Sequence, residues 1–252
     1  MRPAGECALV IALALAAGCG SHVPLPESVT LAAGSTGVPY TWQEGDSWRF
    51  LAWAILDADS GQGYDALALM AGCRPDSAPS PGDRILLPLD PSLSQALQAR
   101  MESARLVREA TEARSGGSGQ VADSLLRRAI SKDPSWSVPA WDLALLQLDA
   151  GDRRGAAATL APVAGKPRAE IMLARMSWEG GNADAALRHV ETAMLAPEPS
   201  PEILACAAVL YTVTGNRYQA SRLWLRILAD PSAGSDLRIL AVRNCLALGE
   251  TR

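Results

Sequence analysis

The chain has 252 residues, 48% of them hydrophobic and 20% charged, with a net charge of −4; this is a globular composition long enough for one or two buried cores. No basic run occurs, which argues against a nucleic-acid partner. With two histidines in all, His22 and His189, most zinc sites and most nucleophile–base pairs are excluded, so no catalytic residue, metal or cofactor is expected.

Residues 1–18, MRPAGECALVIALALAAG, place one cation, Arg2, ahead of an apolar core from Cys7 to Ala17. At about 11 residues the core is too short for a bilayer, which takes about 20, and it reads as a secretory signal. Ala16, Ala17 and Gly18 then lead into Cys19. A small-residue site just ahead of a cysteine resembles the bacterial lipobox, which implies that Cys19 carries lipid and becomes the mature N-terminus. The lipobox leucine three positions before the cysteine is here Ala16, with Leu15 displaced by one. An ordinary signal peptide cut nearby, or an uncleaved apolar N-terminus, is the alternative. Gly20 rather than an aspartate after the cysteine implies the periplasmic face of the outer membrane if the cell has two. Residues 19–39 hold Pro24, Pro26, Gly34, Gly37 and Pro39 without apolar periodicity and read as a flexible tether.

Next comes YTWQEGDSWRFLAWAIL, with apolar alternation at Tyr40 and Trp42, a Gly-Asp turn, and Ser47 placed to cap a helix carrying Trp48, Leu51, Ala52 and Ile55. A second helix is expected over roughly Tyr64 to Ala71, and Arg84 to Pro88 reads as a strand. The order is strand, helix, helix, strand. The opening YTWQEGDSW and the closing PGDRILLP resemble a LysM domain over residues 40–89. That resemblance implies a small βααβ fold binding N-acetylglucosamine-containing glycan, such as peptidoglycan, in a shallow groove. By motif position the groove has Gly45, Asp46, Ser47 and Trp48 on one side, and Ala71, Gly72 and Cys73 with Pro81 and Gly82 on the other. Short polar groups and an apolar wall suit sugar hydroxyls and ring faces; at helical spacing, Trp48 and Trp53 fit a core role equally.

Beyond residue 90 a period appears. Gly117, Gly151, Gly181, Gly215 and Gly249 lie 34, 30, 34 and 34 residues apart, as in helical arrays. Ala110, Ala144, Ala174, Ala208 and Val242 lie seven before each glycine; Ala122, Ala156, Ala186 and Ala220 lie five after, and Leu126, Leu160, Val190 and Trp224 nine after. Small side chains at fixed offsets let helices cross closely, and the glycine ends the first helix of each pair. Residues 90–252 resemble tetratricopeptide repeats, an all-α solenoid of about four repeats and a terminal helix, Ser235 to Leu248; an irregular helical bundle is the plainer alternative. The resemblance implies a concave partner-binding face carrying Trp141, Leu145, Leu148, Met172, Arg175, Trp178, Val209, Thr212, Arg243 and Leu246. Trp141 and Trp178 could instead seal repeat junctions.

Cys206 and Cys245 sit in apolar helical runs, as buried thiols or as a disulfide. Together these features describe a multidomain, non-enzymatic envelope lipoprotein that binds peptidoglycan and recruits an unidentified envelope protein. The alternative is an assembly factor or pilot lipoprotein for a trans-envelope machine such as a pilus or secretion system.

Overall fold

A computed structural model describes residues 37–56, 61–196 and 199–249. The signal at 1–18, the lipidation site Cys19 and the tether up to residue 36 lie outside the described residues. The chain is mostly helical, with one two-stranded antiparallel sheet near its start. It divides into two compact units, described to Leu146 and from Gln147.

In the first unit, strand β1 (Val38–Thr41) pairs with β2 (Arg84–Leu87), Val38 opposite Leu87 and Thr41 opposite Arg84. Alternation decides the inner face: Val38, Tyr40 and Trp42 are buried against Ile85 and Leu87, while Pro39, Thr41 and Leu86 are exposed. The strand thus begins one residue before the expected end of the tether, two before Tyr40. Pro39 is tolerated because it opposes Leu86 at a position where no donor is owed to β2, since its neighbour Trp42, three residues on, gives its N–H to Asp83 at 2.9 Å.

Between the strands lie α1 (Trp48–Leu56) and α2 (Gly61–Met70). Ser47 caps α1, its Oγ accepting from the Phe50 N–H at 3.1 Å. Helix α1 is buried on most of its circumference, because α2 packs on one side and α3 (Ser94–Ser115) on another. Helix α3 runs for 22 residues, against 13 in the first helices of later pairs. Its early turns bury Leu97, Met101 and Ala104, spaced for one helical face. One apolar cluster therefore joins the sheet, α1, α2, α3 and α4 (Gly119–Lys132) and reaches Trp136. The expected boundary at 89/90 marks a change of sequence pattern, and packing continues across it.

After α5 (Ser137–Asp149), the second unit holds α6 (Arg153–Leu160), the hairpins α7 (Pro167–Glu179) with α8 (Ala183–Ala193) and α9 (Pro201–Val213) with α10 (Arg217–Ala229), and α11 (Ser235–Gly249). The periodic glycines share one geometry: Gly117, Gly151, Gly181 and Gly215 all have φ between +78° and +84°. At each, the next residue's N–H bonds back five residues (Ser118 to Ala113, Asp152 to Gln147, Asn182 to Ser177, Asn216 to Tyr211) at 2.8–2.9 Å. This closes the helix in the left-handed turn that glycine enters without steric cost. The alanines five after each glycine are all fully buried, as are Leu160 and Trp224 nine after. Of the positions seven before, only Val242 is exposed, because α11 is the last helix described and no described residue covers that side. The short second spacing has a local cause. Helix α6 has eight residues and passes into a 3-10 turn at Ala161–Val163 containing Pro162, and Gly165 then turns with φ +86°.

Candidate functional site

The loop after β1 and the loop from residue 71 to 83 are brought side by side. Gly82 N–H donates to the Trp42 carbonyl at 2.8 Å, and the Trp48 indole N–H reaches the Ser77 carbonyl at 3.2 Å. Gly45 adopts φ +78°, which the sharp Gly-Asp turn requires. On the far wall Gly72 and Gly82 are exposed with open space beside them, and Pro81 is exposed. Ala71 and Cys73 are half-buried and pack on the core. The two loops that carry the expected groove residues therefore lie side by side.

Three of the groove's expected contacts have other employment. Trp48 is 3% exposed and tilts against Trp42 with ring centroids 4.9 Å apart; it is a core residue that anchors the far loop through its indole N–H. Asp46 has a fully enclosed side chain. Its carboxylate accepts from the Tyr40 hydroxyl, from Gln43 N–H at 2.9 Å and from Arg105 Nη2 at 3.4 Å, so it organises the turn from within. Burial, and then the bond to Asp46, push the Tyr40 phenol well above its usual range. Ser47 Oγ serves the α1 cap. The spacing gave these residues correctly as a turn but carried no sign that α3 would supply their partners. The arginines involved, Arg100, Arg105 and Arg108, went unread because basic residues on a helix are ordinarily solvated.

Those arginines form a row. Arg100 donates to the Ala54 carbonyl at 3.2 Å and pairs with Asp133, with its guanidinium 5.0 Å from the Trp136 ring centre. Arg108 donates to the Gly45 carbonyl at 2.8 Å and lies 4.5 Å from the Phe50 ring centre. Trp53 meets Trp136 edge-on at 5.1 Å.

Of the expected partner-binding residues in the first unit, Trp141 and Leu145 are half-buried. In the second, Met172 is fully buried and Val209 is 5% exposed; both belong to the core, where no partner reaches them, and not to the expected binding face. For Val209 the reason is clear: α9 is enclosed by α8, α10 and α11, and every residue from Ile203 to Leu210 is buried. Trp178 is half-buried and touches two apolar clusters, which is a junction-sealing position. Arg175 pairs with Glu179 at 2.7 Å, and Glu179 also holds Arg153 at 3.1 Å. Thr212 donates to the Ala208 carbonyl within its own helix. Leu148 is half-buried, while Arg243 and Leu246 are exposed on α11. With Ile239 and Val242 they line an open apolar depression of about 450 Å³.

Cys73, Cys206 and Cys245 form no disulfide with one another, and burial pushes Cys245 up. His189 Nδ1 lies 2.7 Å from Glu170 Oε2, tying α8 to α7. Among the described residues no group of three or more metal-binding side chains occurs, and no helix is long and apolar enough to cross a membrane. No family model matches the chain, and the curated proteins give no significant match.

Proposed function

We propose that this chain is a non-catalytic, lipid-anchored protein of the cell envelope, with a LysM-type module at residues 40–89 holding peptidoglycan glycan and tetratricopeptide-type repeats over 90–252 recruiting a protein. The observation that supports the glycan reading most is the approach of the two loops in a strand, helix, helix, strand order, leaving Gly72, Pro81 and Gly82 exposed along one wall. The glycine turns of common geometry and the buried alanines support the repeat reading. The Ala16-Ala17-Gly18-Cys19 sequence supports the anchor.

Co-sedimentation of the full chain with purified peptidoglycan tests the first point. Ala71→Trp puts bulk on the groove wall without demanding a positive φ, and it is expected to release the folded chain into the supernatant. A folded wild-type chain that never sediments would end the glycan reading. For the anchor, Cys19→Ser is expected to abolish labelled-palmitate incorporation and membrane fractionation.

A further inference from the structure

We propose that helix α3 competes with glycan for one wall of the groove, so that glycan binding and α3 docking oppose each other. The inference rests on the glycan reading of Gly45 to Ser47. Backbone carbonyls and carboxylates are the acceptors a sugar hydroxyl would use. On this wall those acceptors are already engaged by α3. The Gly45 carbonyl takes the Arg108 N–H at 2.8 Å, and a Cβ built on Gly45 would stand 3.4 Å from the same guanidinium. The Asp46 carboxylate is enclosed by Tyr40, Gln43 and Arg105. Arg108 is further held over the Phe50 ring. The opposite wall is free, with nothing within 4 Å of a Cβ on Gly72 or Gly82. A glycan that uses the Gly45 carbonyl must therefore displace Arg108, and by linkage a docked Arg108 lowers glycan affinity as much as bound glycan loosens Arg108.

The test uses the full chain as wild type, Arg108→Ala and Arg108→Gln, with purified peptidoglycan for co-sedimentation and chitohexaose in solution. Both variants are expected to bind at least three-fold more tightly than wild type. Equal or weaker binding by folded variants, with wild type binding, overturns the competition and leaves the glycan reading standing. If neither wild type nor variants bind either probe, both fall together. Should the variants lose their helical signal, hydrogen exchange of the wild type decides alone. Saturating chitohexaose is expected to speed exchange in residues 100–112, and unchanged or slower exchange overturns the proposal.

Discussion

Asp46 shows how a single side chain can carry a motif and yet face inward. Because it accepts from Tyr40, Gln43 and Arg105 inside the turn, Asp46→Ala leaves a mostly buried guanidinium uncompensated. It is expected to cost roughly 3 kcal/mol in denaturant unfolding of the full chain; a change within error would mean the carboxylate is dispensable to the fold. Asp133 adds a pH dependence. Burial pushes its carboxyl up, but the bonds from Ser135 and Arg100 outweigh this and hold it below 3.8. A carboxyl depressed in the folded state stabilises at neutral pH, and that contribution is lost as pH falls through its folded value. Asp133→Asn should therefore lower stability by about 1–3 kcal/mol at pH 7, with the gap to wild type shrinking below about pH 4. Urea midpoints at pH 7 and pH 3 check this. At the repeat turns, Asp152, Asn182 and Asn216 accept from the N–H three residues on at 2.8–3.2 Å. These caps directly follow Gly151, Gly181 and Gly215 in the sequence, whereas Ser118 after Gly117 makes no side-chain cap bond. Asn216→Ala is expected to cost about 1 kcal/mol, read as a lower thermal midpoint.

Among the elements, the hairpins were legible because close helix crossings leave small residues at fixed offsets from a turn, and burial of Ala122, Ala156, Ala186 and Ala220 follows that pattern. The first strand, helix cap and second strand were legible from alternation and from Ser47. What the sequence did not announce was the reach of α3. Its extra turns carry Leu97, Met101 and Ala104 at helical spacing, a signal present but readable only once α1 is known to need a second partner. Periodicity also failed to separate a binding face from a core face on α9, since a helix enclosed on several sides is apolar nearly all round. The joint between α1 and α3 can be weighed directly. Trp136 is 4% exposed and packs on Trp53 and Arg100. Trp136→Ala should cost about 3–5 kcal/mol, and residues 37–90 alone should lack the cooperative melt that residues 37–150 retain.

For the whole molecule, both units leave large apolar side chains exposed, Leu69, Leu86 and Val121 among those of the first. In the second, the last described helix, α11, leaves Ile239, Val242 and Leu246 68%, 47% and 62% exposed at spacings of three and four. The terminal helices of repeat arrays ordinarily present a polar face to water. Ile239→Glu with Leu246→Glu is expected to leave the melting transition within about 0.5 kcal/mol of wild type, as surface substitutions do. If the repeats recruit protein through this end, the same pair should remove a specific partner from envelope pull-downs; its retention would move the recruiting surface elsewhere on the repeats.

Helix α3 also bears on how force would pass through the first unit. A flexible joint between the strand–helix module and the first helical pair would yield at small loads. Here a continuous helix about 33 Å long lies against α1, fastened sideways by Arg100, Arg105 and Arg108 at successive turns. Tension between the two parts loads these fastenings in parallel, so they resist sliding together instead of peeling one by one. Under strain the helical pair would keep its place for as long as Arg100 and Arg105 hold, and Arg108, the exposed fastening on the Gly45 carbonyl, would be the first that a competing ligand could release.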